Sequence, residues 1–126
     1  MKIAVGGSSA NPPHLGHRAL IEYMISKTDL FDKIIWIPCG HRTDKKIDNE
    51  ISPDHRIAMT ELTIDPMWRT GINQVPLLIK YDEIYGPALS TYYRLELLKE
   101  QYPEDTEFTW FTGSDSNILG IKVRNY

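Results

Sequence analysis

Apolar residues come in short runs separated by polar stretches, and their spacing alternates between continuous and helical. Ile3-Ala4-Val5 is a continuous run that stops at Gly6-Gly7, as a buried strand ending in a tight turn does. A loop rich in Gly, Ser, Asn and Pro follows through Pro12-Pro13. From about His17, Ala19, Leu20, Tyr23 and Met24 recur at helical spacing and predict a helix ending near Lys27-Thr28. Ile34-Ile35-Trp36-Ile37 is a second buried strand, closed by Pro38. Residues 39–51 are polar and charged, a long loop able to carry function. Ser52-Pro53-Asp54 starts a second helix, with Ser52 as N-cap and Pro53 at its first position; Asp65-Pro66 should end it. Val75 to Tyr81 is a third strand, and Pro76 confines its first residues to an edge or a starting position. Ser90 caps a third helix reaching about Gln101, stopped by Tyr102-Pro103. Phe108, Trp110 and Phe111 belong to a fourth strand that ends at Gly113.

Four alternations of strand and helix predict an α/β fold, a Rossmann-like parallel sheet with helices on both faces. Ligands of such sheets sit at the carboxyl ends of the strands. Residues 6–17, 38–46 and 113–116 lie at those ends.

Composition narrows the picture. The 126 residues suit one domain, 1–126, and should bury roughly two-thirds of the unfolded surface. Hydrophobic residues at 41% and charged residues at 25% are those of an ordinary globular chain. A net charge of -3 argues against nucleic acid as a partner, yet allows a small phosphorylated ligand. Cys39 is the sole cysteine, so no intramolecular disulfide forms and a cytoplasmic setting is expected. No apolar run approaches the ~20 residues of a membrane span, and a strand begins at once with no room for a signal peptide. A membrane partner is therefore not expected; a homo-oligomer is allowed.

The densest chemistry lies in Gly6-Gly7-Ser8-Ser9-Ala10-Asn11-Pro12-Pro13-His14-Leu15-Gly16-His17. Glycines after a strand let backbone amides approach a phosphate, and a helix N-terminus favours negative charge. His14 and His17, three apart, can face one ligand and donate to phosphate oxygens whose charge grows in a transition state. Gly16 leaves room for a nucleotide. A Gly-Gly turn alone is usually structural, and a lone histidine at a helix start is usually a cap. Their combination after the first strand is far rarer. Metal binding by the two histidines lacks a third or fourth ligand at matching spacing, so no metal site is expected.

Gly7-Ser8 followed by Asn11-Pro12-Pro13-His14-Leu15-Gly16-His17 resembles the signature of the nucleotidyltransferase superfamily with the His-X-Gly-His motif. Within it the chain is most similar to the nicotinate-nucleotide adenylyltransferases. Ile37-Pro38-Cys39-Gly40 with Lys45 resembles that family's second-strand loop, and His55-Arg56-Ile57-Ala58-Met59 its His-Arg-X-X-Met helix. Thr91 aligns with the Thr of its Ser-Tyr-Thr segment. Phe111-Thr112-Gly113-Ser114-Asp115-Ser116 resembles Ile-Gly-X-Asp-Ser. The resemblance implies adenylyl transfer from ATP, accompanied by Mg²⁺, to nicotinate mononucleotide, a step of NAD biosynthesis. It implies that His14 and His17 are catalytic, and that Gly7, Ser8, Gly16 and Lys45 bind ATP or phosphate. Thr91, Gly113 and Asp115 would bind the acceptor. Each has a plainer reading: Lys45 as a solvated charge, Thr91 as a helix starter, Asp115 as an N-cap. His55 and Arg56 read as structural, pairing with carboxylates or capping a neighbouring loop. Trp36 and Trp110 read as core and rim, and Cys39 as an inert small residue.

Three departures stand out. Two residues, Ser9-Ala10, separate Ser8 from Asn11 where the family has one, and Arg42-Thr43-Asp44 replace its Pro-Pro-His. Family members are longer and end with an Ile-Ser-Ser-Thr-X-X-Arg motif for the ATP phosphates, which this sequence lacks. Two alternatives therefore stand beside the enzyme: a non-catalytic nucleotide-binding domain, or adenylyl or cytidylyl transfer to another phosphorylated acceptor. His14 and His17 are expected in one cleft shared with Asp115.

Overall fold

The computed structural model describes residues 1–8, 15–40, 51–68, 75–113 and 118–123, with backbone alone at 65–68, 112–113 and 118–123. Four of its strands are parallel. Strands β1 (Lys2–Ser8), β2 (Lys33–Pro38), β3 (Leu77–Ile79), β4 (Glu107–Gly113) and β5 (Ile118–Val123) form one sheet in the order β3-β2-β1-β4-β5. Helices α1 (Leu15–Ile25), α2 (Pro53–Trp68) and α3 (Thr91–Gln101) connect them. β1 pairs in parallel with β2, Ala4 opposite Ile34 and Gly7 opposite Ile37, as the two apolar runs predict. It also pairs in parallel with β4, Val5 opposite Trp110, while β5 runs antiparallel to β4.

Continuous apolar runs make sense only if both faces of a strand are covered, and both are. Ala4, Ile34, Trp36, Leu77 and Phe111 point to one face, where Leu20, Ile21, Met24 and Ile25 of α1 and Ile64 of α2 close the core. Ile3, Val5, Ile35, Ile37 and Phe108 point to the other, under Leu95 and Leu98 of α3. Alternation within each run thus splits one strand between two cores.

Both predicted caps sit where expected. Ser90 Oγ accepts from the amide of Tyr93 at 3.2 Å, and Ser52 Oγ from that of His55 at 3.4 Å. Three boundaries differ from the sequence reading. α2 continues through Asp65-Pro66 to Trp68. Pro66 removes one amide, but its fixed φ suits a helix, and the bond it forgoes belongs to Leu62, which is 78% exposed and open to water. α1 stops at Ile25, because the chain turns through Lys27, whose amide donates to the Met24 carbonyl at 3.1 Å. β3 shrinks to three residues at the edge of the sheet. Pro76, just before it, still contributes its carbonyl to the Ile34 amide at 2.8 Å. Among the described residues, no helix is long and apolar enough to cross a membrane.

Candidate functional site

The carboxyl ends of β1, β2 and β4 lie along one edge of the sheet, since these strands are parallel. Two glycines set how closely the backbone packs there. A Cβ on Gly6 would lie 2.7 Å from Cε2 and Cζ of Phe111, whose ring covers the strand. A Cβ on Gly7 would collide with the Ile37 carbonyl of β2. The end of β1 is further fixed to the turn after β2 by the Cys39 amide, which donates to the Ser8 carbonyl at 2.8 Å.

His17 stands in the first turn of α1, half-buried. Its ring centroid is 5.9 Å from that of Trp36, with the planes at 52°, and Trp36 in turn lies 5.8 Å from Phe111. Trp36 faces Gly6 across the β1–β2 pair, so this aromatic series seats the imidazole over the carboxyl end of β1. α1 has no acidic residue in its first turn, so no carboxylate of that turn offsets its positive dipole end. Gly16, exposed in that same turn, keeps the surface beside His17 low.

Thr91 is the first residue of α3, directly after the cap Ser90. The plainer helix-starting role is thus taken by its neighbour. Gly113 closes β4, three residues past Trp110, as Ser8 is three past Val5. The structure therefore gathers Gly7, Ser8, Gly16 and His17 around the end of β1, with Gly113 at the end of the adjoining strand. His14, Lys45 and Asp115 lie outside the described residues, and with them the expected His14–His17–Asp115 cleft.

Behind the turn at Cys39-Gly40 sits a polar cluster that sequence reading missed. Arg94 donates to Glu83 from Nε at 2.6 Å and from Nη2 at 2.8 Å, with both side chains buried. Glu83 Oε1 also accepts from the amides of Gly40 at 3.0 Å and Leu89 at 2.9 Å. Burial alone would push the Glu83 carboxyl up, but the Arg94 hydrogen bonds, the two amides and the guanidinium charge hold it below its ordinary value. Burial likewise opposes the charge on Arg94, and the Glu83 carboxylate overrides it, so its pKa is raised. The clue was present in α3: Arg94 falls on the apolar stripe of Leu95 and Leu98, where a charge needs a partner. Cys39, read as an inert small residue, has its Sγ 3.2 Å from Arg94 Nη2. Arg56, buried on α2, donates to the Cys39 carbonyl, which is the loop-capping role read from sequence.

A cleft of about 300 Å³ opens between Ile37 and the flank of α3, walled by Glu83, Arg94, Leu97 and Leu98. Neither His17 nor Gly7 lines it. Among the described residues, no three His, Cys, Asp or Glu side chains gather as a metal site.

Comparison with known proteins follows the same lines. Residues 5–118 match the cytidylyltransferase-like family. The probable nicotinate-nucleotide adenylyltransferase of Salinibacter ruber is 33% identical over 92% of this chain and 55% of its own length. That of Fusobacterium nucleatum is 34% identical over 100% of this chain and 61% of its own. The chain thus spans little more than half the length of these relatives. Among solved structures, the Plasmodium falciparum nicotinic acid mononucleotide adenylyltransferase complexed with NaAD superposes with a TM-score of 0.62 at 22% identity. That match covers 86% of this chain and 49% of the other, and it supports the fold. With its family match running from the middle of β1 to the start of β5, the chain belongs to the cytidylyltransferase-like family.

Proposed function

We propose that this chain carries out adenylyl transfer: ATP and nicotinate mononucleotide give the dinucleotide and pyrophosphate. The mononucleotide phosphate attacks the α-phosphorus of ATP, a P–O bond forms, and the bond to the β-phosphate breaks. The nucleophile is already ionised, so no general base is needed. Catalysis reduces to alignment and to stabilising charge on the leaving pyrophosphate.

The observation that carries this reading is His17, held against Trp36 in an acid-free first turn beside the Gly6–Ser8 strand end. There its imidazole can donate to ATP phosphates, with backbone amides at Gly7 and Ser8 and space at Gly16. His14 joins His17 in this role, and Lys45 meets a phosphate from the loop after β2. Thr91, Gly113 and Asp115 take the acceptor. Mg²⁺ enters with the nucleotide as part of the substrate, held by phosphate oxygens and water, as this ion prefers. Cys39 as sole cysteine suits a cytoplasmic enzyme.

Pyrophosphate release from ATP, assayed with and without nicotinate mononucleotide, tests the proposal. Release that depends on the acceptor is expected. Calorimetric binding of ATP with no release would instead assign a non-catalytic nucleotide-binding domain. Release with a different phosphorylated acceptor would move the reaction elsewhere in the superfamily.

A further inference from the structure

We infer that the buried Glu83–Arg94 pair is a positioning device, which fixes the first turn of α3 against the turn after β2 and thereby sets where the acceptor sits. The functional half of this inference rests on the adenylyl-transfer reading. Glu83 and Arg94 side chains are 4% and 8% exposed. Each Glu83 oxygen is taken, Oε2 by Arg94 and Oε1 by Arg94 and the amides of Gly40 and Leu89. One carboxylate oxygen therefore bonds both the chain leaving β2 and the chain leading to Ser90.

The contact it bridges is backbone on backbone. A Cβ on Gly40 would overlap the Gly86 carbonyl and lie 2.6 Å from the Pro87 carbonyl carbon. Without side chains between them, these segments can slide past each other unless directional bonds fix their register. The guanidinium adds two more reference points, the Cys39 sulfur at 3.2 Å and the Trp110 ring of β4 at 6.0 Å. Arg56 holds the same turn from α2 through the Cys39 carbonyl.

Stability does not explain the pair. A buried ion pair commonly stabilises a fold no more than well-packed apolar residues of the same volume. What Leu and Met could not do is bond the amides of Gly40 and Leu89. Thr91 stands one turn ahead of Arg94 in α3, so a shift of Arg94 along its axis moves Thr91 with it. A misplacement of about 1 Å can cost on the order of 100-fold in rate, so an acceptor read by Thr91 is sensitive to this register. The ATP side, at the ends of β1 and α1, has its own supports in Trp36 and Phe111.

Two variants of the full chain test this: Glu83→Gln, and Glu83→Leu with Arg94→Met. For each, KM for nicotinate mononucleotide, KM for ATP and Tm are measured. In the double variant Tm should return towards wild type, while acceptor KM stays raised by about tenfold or more and ATP KM moves by less than about twofold. Acceptor KM recovering together with Tm would make the pair structural only, and equal shifts in both KM values would also overturn the inference. If the double variant does not fold, Glu83→Gln carries the same KM comparison. Should the wild-type chain consume no nicotinate mononucleotide, the adenylyl-transfer reading fails, and amide exchange on the ligand-free protein decides. Faster exchange in Glu83→Gln at Gly40 and Leu89, with Ala4 and Ile35 unchanged, supports the positioning role. Unchanged exchange at Gly40 and Leu89, or a uniform rise throughout, overturns it.

Discussion

Gly6→Ala adds one methyl group to the centre of the sheet, and the structure says where it goes. The new Cβ would lie 2.7 Å from Cε2 and Cζ and 2.9 Å from Cε1 of Phe111. Nonbonded carbons settle at roughly 3.5–4.0 Å, so the ring must retreat by most of an ångström. Phe111 is 1% exposed and backs onto Trp36 at 5.8 Å, itself 2% exposed and backed by His17, so free space is lacking. Overpacking of this kind costs about 1–3 kcal/mol. Loss of glycine freedom in the unfolded chain offsets about 0.4–1 kcal/mol of that. A net destabilisation of about 1–2 kcal/mol follows, or about 4–8 °C in Tm for a chain of this length. Urea and thermal unfolding measure it. The decisive comparison is Gly6→Ala with Phe111→Leu, which makes room for the methyl. The double variant should be more stable than the sum of the two single losses by about 1 kcal/mol or more. Strict additivity, or a Gly6→Ala protein as stable as wild type, would refute the claim that Gly6 exists to admit Phe111.

Three further outcomes are expected. His17→Ala should lower turnover by about 10²–10³ with little change in Tm, read as pyrophosphate release and unfolding on one sample; lowered Tm with intact turnover would remove His17 from the chemistry. Ser90→Ala should cost about 1 kcal/mol by urea unfolding, because the Tyr93 amide loses its acceptor at the start of α3. The Glu83 carboxyl lies below its ordinary value of 4.5 in the fold, so its contribution is complete above that pH and lost as pH falls through the depressed folded value. Wild type should thus exceed Glu83→Gln in urea midpoint by a constant margin near neutral pH, and the margin should shrink in acid; a margin that grows in acid would contradict the assignment.

The parts of this fold that local chemistry controls were legible in the sequence. Ile3–Val5 and Ile34–Ile37 announce buried strands because both faces are apolar, and Ser52 and Ser90 announce helix starts because their hydroxyls serve backbone amides. Pairings between distant residues were less legible. Glu83 and Arg94 are eleven residues apart across a turn, and nothing in either position names the other, although Arg94 on an apolar stripe signals that some partner exists. β5 escaped notice because Ile118–Val123 carries Gly120 and Lys122 within a short run, a weak strand signal made good by pairing with β4. Asp65-Pro66 misled for the opposite reason: a strong local stop signal fell where the lost hydrogen bond faced water. At the site, the glycine turn and His17 were visible as a motif, while the aromatic series that seats His17 emerges only when β2 and β4 flank β1.

The strand order has a consequence for how the chain assembles. β1 precedes the other described strands in the sequence, yet it ends in the middle of the sheet, with Lys2 opposite Glu107 and Val5 opposite Trp110. The β2 side of β1 can be zipped once residue 38 has been synthesised. Its other side waits for β4, some 105 residues later in the chain (107 minus 2). At about 5–20 residues per second, translation leaves that edge open for roughly 5–20 s. Throughout this interval the nascent protein presents an unpaired, apolar strand edge, the feature most prone to misassociation. Slow refolding, set by closing so long a loop, is the behaviour this topology favours.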